Sequence, residues 1–230
     1  MALLGKGALV IWHDPAPEIE SDYNEWHSKE HMLERLRVPG FLRGQRGVAI
    51  AGAPRYFNFY EVDDVATLSS KPYLDRLNDP TAWTRRVAPH MHNNSRTLCR
   101  VVASFGAGVP AFWIAILVSP DRKREEELRT WLAKAVLPQL IDRAGILGAH
   151  LVEGEPSGSG TDTVEKRLRS GGNEFVDWVL LVGGYDSDVL AAIRGAPFSN
   201  ENLARHGAAS SRLRGTYRLV HCITTADLPA

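Results

Sequence analysis

The order of strand-like and helix-like segments repeats once along the chain. In the first unit, hydrophobic patterns predict four strands and two helices, with strands at residues 7–13, 41–51, 56–62 and 96–105 and helices at 17–38 and 65–86. The order returns with strands at 112–118, 146–153, 175–185 and 212–225 and helices at 123–143 and 187–206. Trp26 precedes Gly40 by 14 residues, and Trp131 precedes Gly145 by the same 14. The sequence therefore predicts two tandem units, residues 1–106 and 107–230.

Each predicted unit follows the order strand, helix, strand, strand, helix, strand, which is the order of a ferredoxin-like α+β fold. The helices of such a unit cover one face of the sheet and leave the other apolar face open. Two units bury these open faces when their sheets pack against each other. We therefore predict an α+β fold of two tandem ferredoxin-like repeats, packed sheet to sheet as a barrel within one chain.

The composition disfavours several classes of partner. Lysine plus arginine and aspartate plus glutamate both number 27, so the formal net charge is zero, and no basic block marks a nucleic-acid surface. No apolar run approaches the roughly 20 residues of a membrane-spanning helix, and the N-terminus lacks signal-peptide features. Cys99 and Cys222 lie in apolar surroundings without a Cys-x-x-Cys pattern, as expected of reduced thiols. We expect a cytoplasmic protein without nucleic-acid or membrane partners.

The segment from residue 156 to residue 172 interrupts the pattern of the second unit. It is rich in glycine, serine and charged residues, so it contains little that could be buried. We predict a mobile loop there, which is either a lid over a site or a plain insertion.

The first predicted helix carries a dense group of titratable side chains. These residues follow the i, i+3, i+4, i+7 spacing and therefore share one helix face: His27, Glu30, His31 and Glu34. An imidazole exchanges protons near neutral pH, and a neighbouring carboxylate can orient it and raise its basicity. The pattern predicts acid–base catalysis with His27 or His31 as the base and Glu30 as its partner.

The second unit lacks this group, because the equivalents of His27, Glu30 and His31 are apolar: Leu132, Ala135 and Val136. The fold therefore does not need polar groups on this face. Two other interpretations stay open, namely an exposed face with salt bridges, or a metal site formed by His27, Glu30 and His31. The string resembles the HxxEH motif of the inverzincin metallopeptidases, although the sequence shows no clear downstream acidic ligand.

Five further residues are candidates for contacts with a substrate. His13 ends the first strand, where side chains commonly face the mouth of a pocket. Arg46 on the second strand could bind a carboxylate or enolate oxygen. Asn58 and Tyr60 share one face of the third strand and could orient a carbonyl group. Trp26 adjoins the histidine pair on the first helix.

Together with the order of the elements, one stretch of the first unit resembles the dimeric α/β-barrel superfamily and, within it, the EthD-like proteins. This stretch is Trp26-His27-x-x-Glu30-His31, followed by Arg35 and Val38-Pro39-Gly40-Phe41. The resemblance implies a cavity between sheet and helices, which relatives use for cofactor-free oxygenation, lactone isomerisation, polyketide cyclisation or dehydration. Relatives of the chlorite dismutase and dye-decolourising peroxidase type use it for haem.

We therefore expect a cofactor-independent enzyme that moves protons on a small cyclic or aromatic organic acid or carbonyl compound, as an isomerase, lyase, cyclase or monooxygenase. Arg46, Asn58 or Tyr60 would stabilise the oxyanion. The alternatives are a protein that binds haem, a divalent metal or a hydrophobic ligand without turnover, and a non-catalytic assembly protein. A small organic molecule is the expected partner, and association into a homodimer stays open.

Overall fold

Eight antiparallel strands close into a barrel in the computed structural model, which describes residues 3–156, 161–169, 173–193 and 195–229. The strands are β1 Gly7–Pro15, β2 Phe41–Gly52, β3 Tyr56–Val62, β4 Met91–Gly106, β5 Phe112–Pro120, β6 Ile146–Gly154, β7 Trp178–Gly184 and β8 Ala208–Thr224. Around the barrel their order is β1-β3-β2-β8-β5-β7-β6-β4, and β4 pairs with β1 to close it.

The two halves of the barrel have the same internal strand order. In the first half β1 lies between β4 and β3, with β2 beyond β3. In the second half β5 lies between β8 and β7, with β6 beyond β7. Antiparallel ladders between β2 and β8 and between β4 and β6 join the halves. The predicted α+β barrel of two ferredoxin-like sheets is confirmed.

Short helices cover the outer faces of the barrel. They are α1 Glu20–Trp26, α2 Met32–Leu36, α3 Lys71–Asn78, α4 Ala82–Val87, α5 Glu125–Trp131, α6 Leu137–Leu140, α7 Val164–Leu168, α8 Ser187–Ala192 and α9 Asn200–Arg205. A π turn at His27–His31 joins α1 to α2, and a second π turn at Leu132–Val136 joins α5 to α6. The predicted long helices at 17–38 and 123–143 are therefore each interrupted by a wider turn.

Side chains alternate between the inside of the barrel and the helical layer outside it. In β3, Phe57 and Phe59 point inward, whereas Tyr56 and Tyr60 pack under the helices. Both halves supply the interior, whose largest members are Trp12, Phe57, Phe59, Trp113 and Tyr217. The interior of the barrel is therefore a packed core of side chains.

A buried ion pair inside the barrel joins β2 and β3, and a hydrogen-bonded glutamine connects it to β5 of the second half. Arg43 donates two hydrogen bonds to the fully buried Glu61 carboxylate, at 2.6 and 3.0 Å. Gln45 donates a third hydrogen bond to this carboxylate at 3.1 Å and accepts one from the Trp113 indole of β5 at 3.1 Å. The backbone N–H of Leu4 also donates to Glu61, at 2.7 Å. These bonds compensate the cost of placing a charge in the barrel interior.

Two segments of the second half differ from the prediction. The predicted mobile loop at 156–172 lies partly outside the described residues, but its described part contains α7 and buries Thr163 and Glu165. The expectation that this segment holds little that can be buried was wrong, because Glu165 forms ion pairs with Arg35 and Arg169. The predicted helix at 187–206 is divided into α8 and α9.

The start of the fourth strand also differs from the prediction. The strand predicted at 96–105 begins earlier, because β4 starts at Met91, and His92 therefore lies in a strand. His90 is the last residue of a short 3-10 helix, Ala88–His90, and is exposed.

The described residues contain no helix that is long and apolar enough to cross a membrane. Both cysteines are free thiols, with Cys99 buried in β4 and Cys222 half-buried in β8. Burial raises the pKa of both thiols, which disfavours the reactive thiolate.

We expect Arg43→Met to lower the free energy of unfolding by about 3–5 kcal/mol, because it leaves the Glu61 carboxylate buried without its ion-pair partner. The matched control is Arg205→Met, since Arg205 pairs with Glu201 on the exposed surface of α9, where loss of a pair costs less than about 1 kcal/mol. Urea denaturation of both variants measures the difference. Equal losses in the two variants would contradict a stabilising role for the buried pair.

Candidate functional site

The π turn brings two predicted histidines together beneath the first helix. The Met32 N–H donates to the carbonyl of His27, which is the i to i+5 bond of a π turn. His27 and His31 are both buried, and their ring centroids lie 5.4 Å apart. The Trp26 ring lies against His31 with a centroid distance of 4.3 Å. The helix motif therefore faces the sheet and is not an exposed salt-bridged surface.

Tyr23 connects this helix to the sheet below it. The Tyr23 hydroxyl is 2.9 Å from Nε2 of His13, and Nδ2 of Asn58 donates to it at 3.4 Å. The Tyr23 ring also contacts His27, with ring centroids 5.5 Å apart. Tyr23 therefore joins His13 of β1, Asn58 of β3 and the π turn in one buried group.

Tyr60 and Arg46 complete the polar side of this group. The Tyr60 hydroxyl lies 3.5 Å from Nε2 of His27. Arg46 donates to the hydroxyl of Ser28 at 3.0 Å and to the carbonyl of Asn24 at 3.3 Å, so α1 and the π turn hold its guanidinium in place. The structure therefore brings together six of the predicted residues, which with Tyr23 we call the histidine site: His13, Tyr23, His27, His31, Arg46, Asn58 and Tyr60.

Several buried polar atoms of the histidine site have no hydrogen-bond partner. They are Nδ1 of His27, Nδ1 of His31, Nε of Arg46 and Oδ1 of Asn58. Leaving a buried polar atom unpaired costs about 1–3 kcal/mol, so native proteins rarely retain several such atoms in one place without a functional reason. The unpaired atoms include donors and acceptors, and they mark the histidine site as a candidate functional site.

The three histidines are held in the neutral form. Burial, together with the charges of Arg169 and Arg46, lowers the pKa of His13 to about 3. The pKa of His27 lies well below its usual value because of burial and then the charge of Arg46. Burial and the charges of Arg35 and Arg169 have the same effect on His31. Neutral imidazoles beside fixed positive charges can accept a proton when a negative charge forms next to them.

Glu30 does not take the position predicted for it. Its carboxylate accepts a hydrogen bond from the Thr81 hydroxyl at 2.6 Å, while Nδ1 of both His27 and His31 remains unpaired. The prediction assumed regular α-helical spacing, and the extra residue in the π turn changes the relative directions of these side chains. Among the described residues no group of three His, Cys, Asp or Glu side chains is arranged to hold a metal ion, and so the trio His27, Glu30 and His31 is not assembled.

Residues 161–169 of the second half, which include α7, pack against α3 and α4 of the first half. Glu165 at the start of α7 is buried and forms ion pairs with Arg35 of α2 and Arg169. The charges of Arg35 and Arg169 act on His31, and Arg169 also acts on His13. Both halves of the chain therefore shape the electrostatic environment of the histidines.

Sequence reasoning missed four residues of this region, which are Tyr23, Arg35 as an ion-pair partner, Glu165 and Arg169. Tyr23 lies four positions before His27 on the same helix face, so its spacing was a usable signal. Glu165 is 130 positions from Arg35 along the chain, and no local pattern connects them.

No protein-family profile matches the sequence, and no curated protein matches it. Solved structures do match it over nearly the whole chain. An anthrone oxidase-like protein superposes with a TM-score of 0.69 at 12% sequence identity, covering 100% of this chain and 98% of that one. The likeness establishes the fold.

Two candidate monooxygenases have the same architecture. The protein from Fusobacterium nucleatum has a TM-score of 0.61 at 11% identity, with 96% of each chain covered. The protein from Lactobacillus acidophilus has a TM-score of 0.59 at 9% identity, with 96% of this chain and 97% of that chain covered. At these identities the shared feature is the dimeric α/β-barrel fold, here formed within one chain.

We expect the protein to lose stability as the pH falls below about 6.5. The histidine pKa values are depressed in the folded state, so their full contribution is present above the unfolded value of about 6.5 and is lost as the pH falls towards the folded values. Each such histidine adds a slope of up to about 1.4 kcal/mol per pH unit. Urea denaturation at several pH values between 7.5 and 5.5 measures this slope.

His31→Gln should make the slope shallower, because it removes one of the groups that the folded protein keeps neutral. The exposed His90→Gln serves as the matched control. A wild-type stability that is constant between pH 7.5 and 5.5 would contradict the neutral histidine site.

Proposed function

We propose that this chain is an EthD-like, cofactor-independent enzyme that uses histidine acid–base chemistry to oxygenate a small aromatic or cyclic carbonyl compound. The observation that carries the proposal is the set of buried, unpaired imidazole and amide atoms in the histidine site. The structural likeness to an anthrone oxidase-like protein and to candidate monooxygenases favours oxygenation over isomerase, lyase or cyclase chemistry on this fold.

The first chemical step is removal of a proton from a CH₂ group beside a carbonyl. A neutral imidazole of His27 or His31 is the base, and its Nδ1 has no partner in the protein that would compete for the proton. The low pKa of these histidines disfavours the imidazolium by itself. The enolate formed beside it supplies the compensating negative charge, so the proton transfer creates a buried ion pair.

The oxygen of the enolate needs positive or hydrogen-bonding partners. Arg46 is held rigidly by Ser28 and the Asn24 carbonyl, and its Nε donor is unpaired. Burial raises the pKa of the Tyr60 hydroxyl, which therefore stays protonated and able to donate. Preorganised donors of this kind stabilise the charge that develops in the transition state.

The enolate then reduces dioxygen, and a C–O bond forms at the former CH₂ carbon to give a peroxide that takes up the first proton. Loss of the second C–H proton then forms the C=O bond and breaks the O–O bond, and the hydroxide released leaves as water. The overall change is CH₂ + O₂ → C=O + H₂O, in which the substrate supplies all the electrons. No external reductant is required, and His27 or His31 returns the proton for the departing water. The protein thereby provides proton transfer, orientation and charge stabilisation.

Haem is the alternative that the resemblance to chlorite dismutase relatives raised. In the structure Nε2 of His13 faces the Tyr23 hydroxyl and Nε2 of His27 faces the Tyr60 hydroxyl. The His31 ring lies against Trp26. Nδ1 of His27 and Nδ1 of His31 are unpaired but fully enclosed by protein atoms, which leaves no space beside them for a porphyrin, so the described residues do not fit haem and no step is assigned to it.

Oxygen uptake with anthrone, corrected for its spontaneous oxidation, tests the proposal. We expect the double variant His27→Gln/His31→Gln to reduce kcat/KM by about 10²–10⁴-fold, because glutamine retains polarity but cannot act as the base. His90→Gln changes an exposed histidine and should retain the wild-type rate. Circular dichroism confirms that each variant is folded.

A folded double variant with the wild-type rate would refute the assignment of the base. An absorption spectrum and elemental analysis of the purified wild type accompany the assay. A Soret band, or one equivalent of metal that is lost in the double variant, would contradict the cofactor-free mechanism.

A further inference from the structure

A separate pocket lies between α3 and residues 161–169 of the second half, which include α7. Its volume is about 360 Å³, which is sufficient for a small organic ligand. Leu68, Leu74 and Leu77 of the first half form an apolar wall. Arg96 of β4 and Arg169 after α7 lie among its polar lining residues. None of these five residues belongs to the histidine site.

The polar lining of this pocket carries an excess of positive charge. Four lining residues are cationic, namely Arg96, Lys166, Arg167 and Arg169, and two are acidic, namely Asp162 and Glu165. Both acidic groups already form ion pairs, Asp162 with Arg167 and Glu165 with Arg169. The pocket therefore favours an anionic ligand over a neutral or cationic one.

Arg96 is the best placed of these cations to receive an anion. It is half-buried, and its Nη2 donates to the Tyr73 hydroxyl at 2.9 Å, which holds the guanidinium in position. Among the described residues no carboxylate lies within 4.0 Å of Arg96. A guanidinium has five N–H donors, and so most of its hydrogen-bonding capacity is available to a ligand.

Arg169 adds a second positive charge to the lining of the same pocket. Its Nη2 is bound to Glu165 at 2.5 Å, whereas its Nε is buried without a partner. A planar carboxylate can accept parallel hydrogen bonds from guanidinium groups. The leucine wall would then contact the apolar body of the same molecule.

The pocket and the histidine site share one charged network. Glu165 lines the pocket and pairs with Arg35, whose charge acts on His31. The guanidinium groups of Arg35 and Arg96 each lie 5.9 Å from the centre of the Tyr73 ring. A ligand in the pocket would therefore lie close to Glu165, the ion-pair partner of the arginine whose charge lowers the pKa of His31.

We propose that this pocket binds the carboxylate end of an aromatic acid, held by Arg96 and Arg169, with its ring against Leu68, Leu74 and Leu77. The proposal adds a second site beyond the proposed function, because none of the residues that would hold the acid belongs to the histidine site. The binding itself does not depend on the chemistry.

Equilibrium binding of 2-naphthoate and of its neutral analogue 2-naphthamide to the full chain tests the proposal by titration calorimetry. We expect naphthoate to bind at least about tenfold more tightly, because only the acid forms charge-assisted hydrogen bonds. Arg96→Gln should weaken naphthoate binding by about tenfold and leave naphthamide binding unchanged. Arg122→Gln removes the same charge at an exposed position outside the pocket and should change neither.

Arg96→Lys keeps the charge and removes the planar fork, so we expect an intermediate loss of naphthoate affinity. If circular dichroism shows that Arg96→Gln does not fold, the decision rests on Arg96→Lys. Equal affinities for the acid and the amide, or an unchanged affinity in the deciding Arg96 variant, would overturn the proposal.

Anthrone has no acid group, so its oxidation tests the histidine chemistry separately. Arg96-dependent naphthoate binding together with histidine-independent turnover would support the pocket and refute the proposed base. Histidine-dependent turnover without preferential naphthoate binding would support the base and refute the pocket.

Discussion

Each half of the chain has an apolar sheet face that only the other half covers, and the rest of the structure depends on this shared interior. Closure by the β2–β8 and β4–β6 ladders leaves no free sheet edge between the halves. Aromatic residues and the Arg43–Glu61 pair fill the enclosed space. Because the interior is occupied, the polar groups that suit chemistry lie outside the sheet, under the helices of the first half.

The same fixed charges perform two tasks around the histidines. Burial is the main reason that the imidazoles are neutral, and the charges of Arg35, Arg46 and Arg169 add to its effect on their pKa values. They would also stabilise an anion once one forms, because a positive charge that disfavours imidazolium favours an adjacent enolate or carboxylate. Glu165 partly balances these charges in the absence of a ligand, since it is buried against two of the three arginines.

The features that depend on local periodicity could be predicted from the sequence. They include the order of strands and helices along the chain, the alternation of side chains between the two faces of β3, and the grouping of His27 with His31. The position of Glu30 could not be predicted, because it depends on the π turn, which departs from regular α-helix geometry and leaves the Glu30 carboxylate bound to Thr81. Contacts between residues far apart in the sequence could not be predicted either. The burial of Glu165, for example, depends on its ion pair with Arg35 in the other half of the chain. Tyr23 was not among the predicted residues, although its hydroxyl connects helix and sheet.

The second π turn shows that the two halves of the chain use the same backbone form for different side chains. Leu132 and Val136 occupy the positions of His27 and His31 on a backbone of the same form, yet they are packed in an apolar cluster. One half can therefore contribute stability through a well-packed layer while the other tolerates unpaired polar atoms. Because the backbone is duplicated, new reactive side chains could be introduced by mutation at the second π turn, Leu132–Val136, without changing the residues of the histidine site.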